Sequence, residues 1–162
     1  MSLWVADAGP LIFLAKLNRL DLLTRTGDNF CLPQAVMVEI HAKSDEACRR
    51  VEVATHTWLK IQTVKNREAV ELLLADLDLG ESEVITLARE IKADKVLIND
   101  LDARRFARRV GLSMIGTVGI LLAARLRGDI PSLKDELERL QEYGFRISKP
   151  LLEEVLLAAN EE

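Results

Sequence analysis

Cysteine and histidine are nearly absent: Cys31, Cys48, His41 and His56 are all that 162 residues contain. None of them has CxxC or Cys/His ligand spacing, which argues against a zinc ribbon and a disulfide framework and makes a reducing cytoplasm the expected compartment. The two histidines look too few and too isolated along the chain for a histidine metal site. Aromatic residues make up only 4% of the chain, so recognition of a nucleic acid by stacked bases is not expected. Positive charge is outweighed, with 22 Lys and Arg against 26 Asp and Glu, so any nucleic-acid contact has to come from a local basic patch. GxGxxG, Walker, GxSxG and HExxH signatures are all missing.

Long hydrophobic runs are missing too. The longest, Met114 to Ala124, is interrupted by Gly116, Thr117 and Gly119 and falls short of the ~20 residues that a spanning helix needs. The start, Met1 to Asp7, has no basic segment and meets a carboxylate at once, so neither a signal peptide nor membrane attachment is expected.

What is present is a chain of which 49% is hydrophobic, enough for a sizeable core. A chain of this length buries roughly 70% of its unfolded surface and fits one domain, residues 1–162. Short apolar runs alternate with segments of helical period, which predicts an α/β domain with a mostly parallel sheet. Strands are expected at Leu3–Ala6, Asn29–Leu32, Leu59–Val64, Lys95–Ile98 and Leu112–Ile115. Helices are expected at Pro10–Lys16 (continuing through Leu17–Thr24 with a break near Asn18), Pro33–Lys43, Asp45–Ala54, Arg67–Ala75, Glu81–Lys92, Asp102–Val110, Gly116–Arg127, Pro131–Tyr143 and Lys149–Asn160.

The chemistry-bearing pattern is a carboxylate after an inferred strand. Asp7 follows the first strand, and Asp100 and Asp102 follow Lys95–Ile98. In open parallel sheets the ligand crevice lies beyond the carboxyl ends of the strands, so acids from two strands can meet there. Clustered carboxylates repel, and a divalent cation with oxygen ligands, Mg2+ or Mn2+, removes the conflict. Glu81 supports two readings. Asp78 and Glu81 have the spacing of a capping box, yet Glu81 precedes Val84, Ile85 and Ala88 by three, four and seven residues, which puts it on the inward face. Glu83 lies at the edge of that stripe and ranks second. Glu39 borders an apolar face through Val36 and Ile40. Asp7 itself could serve as a turn residue.

Arg104, Arg105, Arg108 and Arg109 occupy one helix directly after Asp100 and Asp102. They form either a phosphate-contacting face or an ordinary solvated one.

Val5-Ala6-Asp7-Ala8-Gly9-Pro10-Leu11-Ile12, Leu32-Pro33 with Val38-Glu39-Ile40, Gly80-Glu81-Ser82-Glu83-Val84-Ile85-Thr86-Leu87-Ala88 and Val96-Leu97-Ile98-Asn99-Asp100 together resemble a PIN domain. More narrowly they resemble a prokaryotic branch similar to VapC-type toxins. The likeness extends to Gly116-Thr117-Val118-Gly119-Ile120-Leu121 and to Glu142-Tyr143-Gly144-Phe145-Arg146-Ile147-Ser148. It implies a Rossmann-like three-layer α/β/α sandwich and a metal-dependent endoribonuclease that hydrolyses phosphodiester bonds of RNA. The family acids fall on Asp7, Glu39, Glu81 and Asp100, with Asp102 as a further acid; Asp7, Glu81, Asp100 and Asp102 would hold Mg2+ or Mn2+. RNA as substrate, a small antitoxin protein and a homodimer are the partners implied. Three departures, Ala8 and Gly9 after the first acid, Ile98 before the fourth and Glu81 in place of aspartate, keep an alternative open. That alternative is a catalytically degenerate binding or assembly module. A phosphatase using Asp7 as nucleophile is disfavoured, because Gly9 stands where its second acid would be.

Overall fold

The computed structural model describes residues 2–161, so Met1 and Glu162, the two ends of the expected domain, lie outside the described residues. Its centre is a parallel sheet. β1 (Leu3–Ala6) has Trp4, Val5 and Ala6 buried, as expected of a strand covered on both faces. It lies between β2 (Asn29–Pro33) and β4 (Lys95–Leu97), with Val5 in register with Cys31 on one side and Val96 on the other. β3 (Leu59–Gln62) and β5 (Ser113–Ile115) form the edges, giving the order β3-β2-β1-β4-β5 with every pair parallel. The chain therefore builds outward on one side of β1, then returns to build on the other. This reversal opens a crevice at the carboxyl ends of β1 and β4.

The connections are helical. α1 (Ala8–Lys16) starts two residues before Pro10, because Asp7 takes the N-cap and the missing amide of Pro10 falls harmlessly in the first turn. Asn18, at φ 57°, breaks the chain direction where the sequence suggested, and a 3₁₀ segment follows over Leu20–Thr26. Pro33 ends β2 and serves as N-cap of α2 (Gln34–His41). Asp45 caps α3 (Glu46–Thr55) by accepting the Cys48 amide at 2.9 Å. α4 (Arg67–Leu73) and α5 (Leu79–Glu90) lead to β4, and α6 (Leu101–Arg109) joins β4 to β5. α7 (Thr117–Arg127) stops at Gly128, whose φ of 87° suits glycine. α8 (Leu133–Glu142) and α9 (Lys149–Ala158) complete the chain.

α1 packs on α3 and α7, while α5 packs on β1 and β2. Right-handed crossovers place these two groups on opposite faces of the sheet, which makes the three-layer sandwich. α2, α4, α7, α8 and α9 are one to three residues shorter than expected, whereas α5 and α6 begin earlier, at Leu79 and Leu101, because Asp78 and Asp100 take their N-caps. Near the C-terminus, the Glu161 carboxylate accepts the amides of Leu133 at 2.8 Å and Lys134 at 3.0 Å and pairs with Arg125 at 3.0 Å. The chain end thus caps α8. No helix among the described residues is long and apolar enough to cross a membrane.

Candidate metal centre

Three of the acids at the crevice are N-caps. Asp7 precedes α1, Asp78 precedes α5 and Asp100 precedes α6. A helix N-terminus carries partial positive charge, so each cap position favours an anion that would otherwise be isolated among other anions. Asp100 accepts the Ala103 amide at 2.9 Å. Asp78 accepts the Glu81 amide at 2.8 Å, and Glu81 returns the bond to the Asp78 amide at 3.1 Å. The capping box anticipated from spacing is real, and it does not remove Glu81 from the cluster: each Glu81 oxygen can accept more than one bond.

Gly80 shows how closely the acids converge. A Cβ at this position would lie 3.2 Å from Glu39 Oε1, 3.6 Å from Asp7 Oδ1 and 3.6 Å from Asp78 Oδ1. Three carboxylates from α2, the β1–α1 turn and the cap of α5 thus surround the space that this glycine leaves open. Asp7 is 8% exposed; burial, as the largest cause, raises its carboxyl to about 7. The Ala8 amide opposes that rise, and the charges of Glu39, Glu81 and Asp78 add to it. Glu81 is likewise raised to about 7, first by burial, against the pull of the Asp78 amide. The charges of Asp78 and Asp100, and a hydrogen bond shared with Asp100, push it further. Glu39, at the open rim, is raised by partial loss of water and by Asp78.

Among the described residues no Lys, Arg or His forms a salt bridge with Asp7, Glu39, Asp78, Glu81 or Asp100. Oxygen donors that repel one another and lack a cationic side chain fit a hard divalent cation. The donor chemistry fits such an ion, and the acids would have to draw closer about it, since among the described residues no three of them form a group with ligand atoms within 4.8 Å of one another.

The remaining candidates take other places. Asp102 is exposed, 3.6 Å from Arg105, and lines an open depression with Asp76, Leu77, Arg105, Phe106 and Arg109. Glu83 is buried and does not join the acids. It pairs with Arg67 at 2.7 Å and accepts the Ala35 amide at 3.0 Å, locking α4 and the first turn of α2 onto α5. The four arginines do not form one uniform face. Arg105, Arg108 and Arg109 are exposed, whereas Arg104 turns inward, with a terminal nitrogen 3.0 Å from where a Cβ on Gly116 would be.

Two further residues shape the crevice without having stood out in the sequence. Asp78 appeared there only as a cap, and its position three residues before Glu81 was the available signal. Asn99 accepts the Thr117 amide at 2.8 Å and donates to Thr117 Oγ1 at 2.9 Å, tying the β4–α6 turn to α7. Nothing local in the sequence marks that pairing across 18 residues.

A doubly wound parallel sheet with clustered carboxylates at its switch point is a nuclease-type α/β arrangement. The PIN-domain family model matches residues 3–161, nearly the whole chain. The chain belongs to the PIN-domain family. No curated protein matches it.

Proposed function

We propose that this PIN domain is a metal-dependent endoribonuclease with its active centre at Asp7, Glu39, Asp78, Glu81 and Asp100. The observation that carries the proposal is the convergence of Asp7, Glu39 and Asp78 around Gly80, with the charges of Glu81 and Asp100 felt in the same cluster and no cationic side chain to offset them. Asp7, Glu81 and Asp100 would hold Mg2+ or Mn2+. A bound divalent cation would supply positive charge for the phosphodiester and acidify water at neutral pH. Glu39, outside that ligand set, is the carboxylate proposed to take up the proton that water gives up on attack. Asp7, buried at the end of the central strand, fixes the depth of the site, and Glu39 closes its rim.

RNA is the proposed substrate. Arg105 and Arg109 line the depression beside Asp102, two residues along from Asp100, and Arg108 is exposed on the same helix. They are proposed to contact phosphates, which positions a strand without reading its bases. Arg104 instead is proposed to line the crevice wall, its terminal nitrogen and Asn99 Oδ1 both lying beside Gly116. Asp102, exposed beside Arg105, is proposed as an outer acid of the site.

A cytoplasmic toxin, held in check by a small antitoxin protein and assembled as a homodimer, is the biological setting proposed. Exposed Leu151 and Leu157 on α9 give such partners apolar surface to cover. Incubating a labelled single-stranded RNA pool with Mg2+ or Mn2+ tests the activity. Cleavage by the wild type that is lost in Asp7→Asn supports it; equal cleavage by both proteins refutes it.

A further inference from the structure

The crevice does not account for a second group of metal-ligating side chains. His41 ends α2, and Cys48 and Glu52 stand four residues apart on one face of α3. Along the sequence His41 looks isolated; the short α2–α3 connection overturns that expectation by folding it back onto α3. One ligand atom from each of the three residues lies within 4.8 Å of the other two, and His41 Nε2 is 2.6 Å from Glu52 Oε1.

We propose that His41, Cys48 and Glu52 form a separate site for a borderline-soft divalent cation of the Zn2+ class. Zinc takes thiolate, imidazole and carboxylate at about 2.0–2.3 Å in tetrahedral geometry, so two ligands of one ion stand about 3.3–3.8 Å apart. His41 Nε2 and Glu52 Oε1, at 2.6 Å, stand closer than two ligands of one ion, so binding would part them about an ion that Cys48 also reaches within the 4.8 Å cluster. A site with three protein ligands leaves a fourth position, and Ser44 lines the same open recess. The ligands also match a chemical division. The acid cluster offers only oxygen, which suits Mg2+ or Mn2+, whereas a thiolate with an imidazole selects against those ions.

Access and charge are compatible with this use. The His41 and Glu52 side chains are about half exposed while Cys48 is buried, so an ion can enter from solvent and meet sulfur at the inner end. Arg49 also lines the recess, but its guanidinium is engaged by Glu46 Oε2 at 2.9 and 3.2 Å. The expected consequence is mechanical. An ion here would clip the end of α2, the helix that carries Glu39, to α3.

Titration of the full chain with Co2+ tests the site, because thiolate ligation gives a charge-transfer absorption that an oxygen-only site lacks. One Co2+ per chain should produce that absorption, Zn2+ should displace it, and the Asp7→Asn variant should retain it. Cys48→Ser should abolish it. His41→Ala and Glu52→Gln, both at exposed positions, should fold normally and weaken Co2+ binding at least ~10-fold, the lower end of what loss of even an outer-shell partner costs. Zn2+ should raise the melting temperature of the wild type and not that of Cys48→Ser. Absence of the absorption in the wild type, its persistence in Cys48→Ser, or unchanged affinity in both exposed variants would overturn the proposal.

Discussion

Asp7 and Gly80 hold the residue-scale case. Asp7 ends a buried strand where its carboxylate has no structural ion pair, and Gly80 gives up a side chain beside it. Asp7→Asn keeps the size and the cap position while removing the charge, so the fold should persist. Metal-dependent cleavage should fall at least ~100-fold. Circular dichroism beside a cleavage assay separates these two effects. Gly80→Ala poses a sharper contrast. The new methyl would sit 3.2 Å from Glu39 Oε1 and push that side chain outward. Alanine also favours helix by up to about 1 kcal/mol over glycine. The expected variant melts no lower than wild type yet cleaves more slowly and needs more Mn2+, as thermal melts and Mn2+ titrations of the rate would record.

At the scale of elements, the buried Glu83 matters more than its distance from the acids suggests. It ties α5, which carries Glu81, to the helix that carries Glu39. Glu83→Ala leaves the Ala35 amide without its partner and Arg67 without its counter-ion. A loss of roughly 1–3 kcal/mol is expected, measured by urea unfolding. Arg67 is 54% exposed, so its half of the pair contributes the smaller share.

The same elements show what a sequence discloses. The first strand and the acids Asp7, Glu81 and Asp100 are legible from local signals: an apolar run, a following acid, helical spacing. Glu39 joins them only through the family resemblance, and the strand order about β1 is not read at all. The role of Glu83 is not legible. Edge-of-stripe spacing does not distinguish a site carboxylate from one satisfied by an amide 48 residues away. The Asn99–Thr117 link and the inward turn of Arg104 are hidden for the same reason, since both depend on tertiary neighbours. Glu81 appeared to require a choice between cap and site; the folded chain gives it the cap and still leaves its carboxylate beside Asp78 and Asp100, so the two readings are compatible.

For the molecule as a whole, the acid cluster couples stability to pH and, if it holds the proposed cation, to metal. Asp7 and Glu81 hold protons more tightly when folded, at about 7, than their ordinary values of 3.8 and 4.5. Stability from this source is fully present below those ordinary values and is lost as pH rises through about 7. The metal-free protein is therefore expected to melt at progressively lower temperature between about pH 4 and pH 7. The cost in that window is on the order of a few kcal/mol, less the part that solvent screens at half-buried Glu81. Asp7→Asn should flatten the profile. Saturating Mn2+ should restore stability at the high-pH end, because a cation binds the deprotonated cluster and not the unfolded chain.

Calorimetric titration of Mn2+ into the metal-free chain near pH 6.5, in buffers of different ionisation enthalpy, tests the central claim most directly. Binding that releases protons, disappears in Asp7→Asn and persists in Cys48→Ser is predicted. Absence of binding, or equal binding by wild type and Asp7→Asn, would contradict the assignment of the converging carboxylates as a metal centre.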